Sequence, residues 1–360
     1  MIGTHRHREI DVLEGFSGAV EIPFDTIEQR MFTLSIRRHV AWERDADDPF
    51  TGQPDHDEPI EIDRFDGVDP SRFDHTCRLV GEGIDTFLSI AMMMKRHGLL
   101  LCMTDSGVRH RFDHVGSDGR YLIVPMDHGI TQGPRQGLVD IESTVEAVTN
   151  GGADAVVTHR GLAGRIIPNL GKSGYIVHLN ASTTRGPDPN DKRQVCSVES
   201  AIAAGADAVS FHINIGSRME ADQLVTLGDV IETAHRYGLP VLAMSYPRGP
   251  DIDSNDPAAV AHAVRVASEL GADIIKTSYP DTGFDQAVSA TDAPVLIAGG
   301  EPDDDVATLE AIGRAMSVGA AGVSMGRTIF QHTDPRSMTD AVSAIVHRDE
   351  SVEQARSYLA

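Results

Sequence analysis

The sequence predicts an α/β fold, a (β/α)8 TIM barrel over residues 103–360, preceded by an acidic N-terminal extension over residues 1–102. Three observations predict it. From Met103 onward, strand-like apolar runs alternate strictly with helical stretches, and eight such units within about 240 residues is the size of that barrel. Apolar runs such as Val241-Leu242-Ala243-Met244 and Val295-Leu296-Ile297-Ala298 are continuous, as in parallel strands buried on both faces. The phrase Gly-Ala-Asp recurs at Gly152, Gly205 and Gly271, where glycine ends a helix in a left-handed turn before the chain enters a strand.

Taken in order, the chain from Met103-Thr104-Asp105 reads as a short lead-in helix. Strands are expected at 121–127, 153–158, 175–180, 206–213, 240–246, 272–277, 294–298 and 321–325. Helices are expected between them at 140–150, 162–170 (a weaker pattern), 198–204, 221–237, 257–270, 285–290 and 304–318, with a closing helix at 335–347. A doubly wound open sheet is the alternative, but no GxGxxG follows the first strand. Residues 1–102 carry little periodicity. Their segments 45–49 and 55–59 are acidic, proline-punctuated and poor in apolar residues, the composition of disordered chain, and only 79–101 reads as a helix. The extension is expected to be either an unrelated addition or an upstream stretch included by a wrong start codon, the second being favoured.

The formal net charge is −23 and the pI about 5.0. Such a field repels nucleic acid and anionic membrane surfaces, so neither is an expected partner. Of 31 basic residues only four are lysines (Lys95, Lys172, Lys192 and Lys276), and aromatic residues make up 5%. This composition suits a salt-rich, halophilic cytosol, where a dense acidic surface stays hydrated; an ordinary acidic enzyme is the alternative. Cys77, Cys102 and Cys196 have no CxxC spacing and support neither a disulfide framework nor a zinc knuckle. The N-terminus lacks the apolar core of a signal peptide. The apolar runs 87–94 and 99–103 are split by Lys95-Arg96-His97 and are too short to span a bilayer. The expected location is cytoplasmic.

A TIM barrel carries its chemistry at the C-terminal ends of its strands. The sixth strand delivers Lys276 there, facing the barrel mouth. Desolvation lowers the pKa of an amine in that position and makes it a nucleophile able to form a Schiff base. The first strand ends in Asp127, a candidate proton acceptor, and the fifth in Tyr246, a candidate proton donor. With Lys276 they form a set suited to carbanion chemistry, in which an iminium acts as electron sink. Gly299-Gly300 after the seventh strand and Gly326-Arg327 after the eighth read as a phosphate site: glycine admits close backbone approach, and a guanidinium adds a two-pronged contact. Four histidines near strand ends, His128, His159, His178 and His212, raise a rival reading as a zinc-dependent aldolase or hydrolase. That rival leaves Lys276 unexplained, and histidines hydrogen-bonded within the barrel mouth are preferred; no metal and no cofactor is expected. Asn180, Ser182, Thr183, Asn214 and Ser217 are further polar candidates for substrate hydroxyls.

With these motifs in hand, the chain resembles the archaeal class I aldolase family of the DeoC/FbaB group over about residues 103–350. The resemblance is carried by Val124-Pro125-Met126-Asp127-His128-Gly129, Met244-Ser245-Tyr246-Pro247-Arg248-Gly249, Ile275-Lys276-Thr277-Ser278-Tyr279, Ala298-Gly299-Gly300 and Gly322-Val323-Ser324-Met325-Gly326-Arg327. Pro-Met-Asp-His-Gly, Lys-Thr-Ser-Tyr and the Ala243-Met244 pair resemble the branch that opens an archaeal route to aromatic amino acids. The resemblance implies a transaldolase-like reaction on a phosphorylated ketose, 6-deoxy-5-ketofructose 1-phosphate, with an amino-acid aldehyde, L-aspartate 4-semialdehyde, as acceptor. It implies Lys276 as the Schiff-base lysine, Asp127 as proton acceptor and Tyr246 as proton donor. Substrate-binding positions fall at Asp127, His128, Gly129, Ile130, Thr131, Tyr246, Pro247, Arg248 and Lys276, and phosphate-binding positions at Gly299, Gly300, Gly326 and Arg327. Arg248 is the candidate partner for the acceptor's carboxylate, and Asp251 or Asp253 for its ammonium. It also implies a ring-like homo-oligomer, with a decamer as the candidate number. The alternatives are a class I fructose-bisphosphate aldolase and a non-enzymatic, ring-forming descendant of the fold. The first 102 residues have no counterpart in the family pattern.

Overall fold

The computed structural model describes residues 101–359 apart from 281 and 301–303, together with an antiparallel strand pair, Leu34–Ile36 with Ile60–Ile62. The pair belongs to one unit, Met1–Phe87, and the remaining elements to another, Leu88–Ala360. The acidic segments of the extension and nearly all of the helix expected at 79–101 lie outside the described residues.

In the second unit a lead-in helix, α1 (Leu101–Val115), is followed by eight parallel strands. These are β1 (Tyr121–Pro125), β2 (Ala155–Thr158), β3 (Gly174–His178), β4 (Ala208–Ile215), β5 (Val241–Pro247), β6 (Ile274–Thr277), β7 (Val295–Ala298) and β8 (Gly322–Ser324). They pair in sequence order, and β8 returns to β1 with Val323 opposite Leu122, so the sheet closes into a barrel. Closure settles the architecture against a doubly wound sheet.

All eight expected strands are present, with ends moved by no more than two residues. The helices are α2 (Ile141–Asn150), α3 (Val198–Ala203), α4 (Glu220–Arg236), α5 (Pro257–Glu269), α6 (Asp285–Ser289), α7 (Asp305–Ser317) and α8 (Pro335–Arg348). Asp140 and Asp304, expected as first helical residues, are instead N-caps whose carboxylates accept from backbone amides. The helix expected at 162–170 is broken into 3-10 turns at Arg160–Leu162 and Ile167–Asn169 around one α-helical turn, Ala163–Ile166. Gly161, Gly164 and Pro168 oppose a continuous helix there. A small hairpin, Asn180–Ala181 with Arg193–Gln194, and the turn-like helices His128–Gln132 and Arg327–Phe330 are too short to carry a periodic pattern and add to the expected elements.

The recurring Gly-Ala-Asp has a common physical basis. Gly152, Gly205 and Gly271 have φ of 96°, 89° and 95°, the left-handed turn that glycine adopts without a Cβ penalty. Two residues on, Asp154, Asp207 and Asp273 each accept a hydrogen bond from the first amides of the preceding barrel strand, at Leu122, Tyr175 and Val241 (2.6, 2.9 and 2.8 Å). Each carboxylate also meets a histidine from a helical segment: His347, His114 and His235, at 2.9, 3.2 and 2.8 Å. The motif thus fixes the register of three strand pairs at the end of the barrel remote from the mouth.

Side-chain alternation divides the core in two. One apolar cluster lies between barrel and helices and includes Leu122, Val124, Val156, Val177, Val209, Val241, Ile275 and Val323. The other fills the barrel and includes Tyr121, Ile123, Ala155, Val157, Ile176, Ala208, Leu242, Met244, Ile274 and Leu296. Val115 and Phe112 of α1 join the inner cluster and close the floor. At Gly174, the first residue of β3, any Cβ would run into the backbone carbonyl of His114, so the floor helix comes this near only over glycine.

Candidate active site

The same alternation that fills the barrel delivers polar groups to its open end. On β1 the inward series Tyr121, Ile123 continues to Asp127; on β5, Leu242 and Met244 continue to Tyr246; on β6, Ile274 continues to Lys276. His159, His178, His212 and Ser324 belong to the inward series of β2, β3, β4 and β8. Lys276 lies opposite Met244 on β5 and Leu296 on β7. Asp127, His212, Tyr246, Lys276 and Ser324 line a cavity of about 420 Å³ at the C-terminal ends of the strands, whereas His159 and His178 stand outside its lining. Asp127, Tyr246, Lys276, Arg248, Arg327, Gly299, Gly300 and Gly326 all line it, as do His128, Thr131, Pro247 and His212.

Lys276 is 7% exposed. Burial pushes its ammonium down to a pKa of about 8; Asp127 opposes the shift, and the guanidinium groups of Arg248 and Arg327 add to it. A much larger share of the amine is therefore neutral near pH 7 than in an ordinary lysine.

Asp127 stands at the N-cap of the turn His128–Gln132, yet its side chain makes no capping hydrogen bond. Its carboxylate oxygens lie 3.7 Å from His128 Nδ1 and 3.9 Å from His178 Nε2. Burial pushes this carboxyl up, but the surrounding His178, His128 and Lys276 outweigh it and hold the group below the usual carboxylate range. Tyr246 behaves in the opposite sense. Burial drives its hydroxyl well above the ordinary value; Arg248, whose guanidinium carbon sits 4.4 Å from the ring centroid, opposes this, and Asp127 reinforces it. At neutral pH the site therefore presents an ionised carboxylate, a protonated phenol and an accessible amine, three groups whose proton affinities have been pushed apart.

Three of the four candidate histidines are hydrogen-bonded within the barrel, while the buried His128 Nδ1 has no hydrogen-bond partner among the described residues. His178 Nδ1 is 2.8 Å from Ser210 Oγ, His159 Nδ1 is 3.1 Å from the His178 carbonyl, and His212 Nε2 is 2.8 Å from Asn214 Oδ1. Burial pushes His178 down to about 3 and His212 well below its ordinary value, so both rings are neutral at pH 7. Among the described residues no group of three or more His, Cys, Asp or Glu is placed to hold a metal ion.

The glycines of β7 and β8 differ in what they permit. At Gly300 nothing among the described residues lies within 4 Å of the space a Cβ would take, which leaves the backbone there open to a ligand. At Gly299 a Cβ would sit 3.0 Å from Thr328 Oγ1, and at Gly326 it would strike the Pro125 carbonyl. Gly326 also caps the turn Arg327–Phe330. Burial, with Arg135 and Arg248, lowers the pKa of Arg327, which marks a concentration of positive charge at this end of a strongly acidic chain.

Several expected positions fall elsewhere. Gly129 and Ile130 do not line the cavity, and Ile130 is 42% exposed. They lie on the outer side of a helical turn whose inner side carries His128, Thr131 and Gln132. Asp251 and Asp253 are exposed and outside the lining, where Ser254 and Asn255 stand instead; Asp253 Oδ1 accepts from the Asn255 amide within a turn. Asn180, Ser182, Thr183, Asn214 and Ser217 are also absent from the lining. Lys192, Ser278 and Tyr279 line the cavity and were not foreseen. Lys192 comes from a polar loop with no strand-end position, and its one signal was its rarity as a lysine.

Residues 121–332 match the model of the DeoC/LacD family aldolases. The chain is 56% identical over 255 residues to 2-amino-3,7-dideoxy-D-threo-hept-6-ulosonate synthase of Halobacterium salinarum, covering 70% of this chain and 96% of that protein. It is 43% identical over 254 residues to 2-amino-3,7-dideoxy-D-threo-hept-6-ulosonate synthase 1 of Archaeoglobus fulgidus, covering 70% and 95%. Among solved structures it resembles an archaeal fructose-1,6-bisphosphate aldolase with its catalytic lysine covalently bound to the carbinolamine intermediate of the substrate. There the identity is 30% and the TM-score 0.62, with 66% of this chain and 99% of that one covered. No helix among the described residues is long and apolar enough to cross a membrane. The barrel, the lysine-bearing mouth and these matches place the chain in one family of enzymes: it belongs to the DeoC/LacD family aldolases.

Proposed function

We propose that this protein is a Schiff-base-forming aldolase of transaldolase type. It cleaves 6-deoxy-5-ketofructose 1-phosphate on Lys276 and adds the retained three-carbon enamine to L-aspartate 4-semialdehyde, giving 2-amino-3,7-dideoxy-D-threo-hept-6-ulosonate. The observation that carries the reading is a buried lysine of lowered pKa lining one cavity with Asp127 and Tyr246. The choice of acceptor rests on likeness to the synthases named above.

Lys276 Nζ attacks the ketone, and loss of water leaves an iminium. From the iminium at C5, Asp127 takes the proton of the C3 hydroxyl as the C3–C4 bond breaks; C1–C3 leaves as a phosphorylated three-carbon aldehyde, and the bonding electrons move into the iminium to form the enamine of C4–C6. Tyr246, protonated at working pH, donates to the oxygen of the arriving aldehyde as the enamine carbon attacks it. Hydrolysis of the new iminium frees Lys276. Arg327, with backbone amides at Gly299, Gly300 and Gly326, holds the phosphate. His128 and Thr131 contact substrate hydroxyls beside Asp127. The product supplies aromatic amino acid biosynthesis in the cytoplasm of a salt-adapted archaeon, and the chain works as a ring-like homo-oligomer.

Arg327→Ala should weaken the phosphorylated ketose by roughly 10- to 150-fold, since a charge-assisted hydrogen bond contributes about 1.5–3 kcal/mol. An unphosphorylated analogue should lose little; equal losses for both, measured as kcat/KM, would remove the phosphate role.

The solved aldolase neighbour favours a second reading, a fructose-bisphosphate aldolase. Product analysis with purified protein separates the two. Aspartate semialdehyde and the deoxyketohexose phosphate should give the seven-carbon amino ketoacid, with slow or absent cleavage of fructose 1,6-bisphosphate. Fast bisphosphate cleavage and no seven-carbon product would move the chain to the second reading.

Residues 1–102 are a separate extension that the barrel domain, 103–360, does not require. The Halobacterium relative matches over 255 residues, nearly its whole length, within this chain. A chain beginning at Met103 should fold and turn over like the full-length protein. Aggregation or loss of activity on truncation would mean that the extension contributes to the enzyme.

A further inference from the structure

The cations at the mouth fall into two groups that differ in kind. Arg327 lines the cavity together with Gly300, where the backbone is open to a ligand, and with the more closely packed Gly299 and Gly326. Lys192 and Arg248 stand among Tyr246, Pro247 and His212, on loops that follow β3 and β5, with side-chain donors only. The Arg248 amide is already bonded to the Ile215 carbonyl at 2.8 Å. A dianionic phosphate with three terminal oxygens suits the first group; two separate side-chain cations suit a two-oxygen carboxylate.

Lys192 is held in place at some structural cost. Its hairpin loop is anchored by Asn190, whose carbonyl accepts from Asn214 Nδ2 (3.2 Å) and Gln223 Nε2 (2.7 Å). Asn214 is fully buried and Gln223 nearly so. Behind them Asn180 bonds both backbone groups of His212 at 2.8 and 2.9 Å. Burying three amides requires that each be satisfied, and here two of them are spent on the loop. Lys192 Nζ itself donates only to Ser182 Oγ, at 3.2 Å. Among the described residues no carboxylate lies within ion-pair distance of it. The carboxylate that acts on it is Asp127, which lines the same cavity beyond ion-pair distance, so the anchored, half-buried ammonium can take an anionic ligand.

We propose that Lys192 and Arg248 form an anion subsite distinct from the Arg327 group, and that it takes the carboxylate of the incoming aldehyde. The proposal rests on the aldol reading above and makes Lys192 a specificity-determining residue for it. Nothing else about Lys276 chemistry depends on it.

The test uses full-length protein and the variants Lys192→Met and Lys192→Arg, with melting temperatures confirming the fold. At saturating ketose phosphate, Lys192→Met should raise KM for aspartate semialdehyde roughly tenfold or more. The methyl ester of the same aldehyde should respond less than threefold, and Lys192→Arg should restore much of the loss. Borohydride trapping of the ketose phosphate should still mark Lys276 in the Met variant. Equal losses for acid and ester, or a raised KM for the ketose phosphate with none for the aldehyde, would overturn the subsite. Failure of trapping at Lys276 in the unmodified protein would overturn the aldol reading itself, a different result.

Discussion

Lys276→Arg abolishes carbon–carbon bond cleavage and formation, with a fall in kcat on the order of 10⁴ or more, because the covalent route is removed rather than weakened. Arginine keeps the positive charge beside Asp127 but has no amine that becomes neutral at working pH. The contrast separates a nucleophile from a cation: if Lys276 served only to attract phosphate, arginine would retain most of the activity. The pH dependence has a definite sign. Attack requires the neutral amine, whose fraction rises as pH passes through a value of about 8. Single-turnover formation of the lysine adduct should therefore speed up by about tenfold per pH unit below that value and level off above it. A rate flat from pH 6 to 9 would mean that the amine is not the titrating group.

Tyr246→Phe should lower kcat by 10²- to 10⁴-fold, the usual worth of a positioned proton donor. The phenyl ring remains beneath Arg248 and beside His212, whose ring centroid is 5.0 Å away, so the packing of the mouth survives. Lys276 should still be trapped by borohydride in this variant, since the hydroxyl acts on the aldehyde oxygen. Stopped-flow measurement of adduct formation and of turnover on the same preparation checks both halves. A Phe variant within threefold of the parent would assign proton donation elsewhere, with His128, on the Asp127 side of the cavity, as the next group to test.

Much of this was legible in the sequence, for physical reasons that differ by element. Strands buried on both faces are continuous apolar runs, and these mark all eight staves. Helix ends were legible to within a residue where an aspartate cap begins them, as at Asp140, Asp256, Asp304 and Asp334. The stretch 160–169 was less so, because glycines and a proline interrupt an otherwise helical pattern. At the site, position at the C-terminal end of a strand was decisive, and Lys276, Tyr246 and Asp127 each stand at such an end. Residues on loops have no such marker. Lys192 reaches the cavity through a hairpin two residues wide on each side, whose pairing depends on buried amides far away in sequence. The loop after Arg248 is illegible for the same reason: Asp251 and Asp253 are near Tyr246 in sequence but outside the cavity lining. Gly129 and Ile130 are contiguous with Asp127 in sequence, but the helical turn there leaves them outside the cavity lining.

Lys276, of all amines in the chain, is expected to form the covalent bond to substrate. Borohydride reduction of the full-length protein with the ketose phosphate, followed by proteolysis and peptide mass spectrometry, tests it most directly. With only Lys95, Lys172 and Lys192 as other lysines, the modified side chain can be assigned without ambiguity. The predicted result is a substrate-derived mass addition on the peptide containing Lys276, absent without borohydride and absent in Lys276→Arg. Addition at Lys192 instead, or inactivation with no adduct on any lysine, would contradict the mechanism at its root.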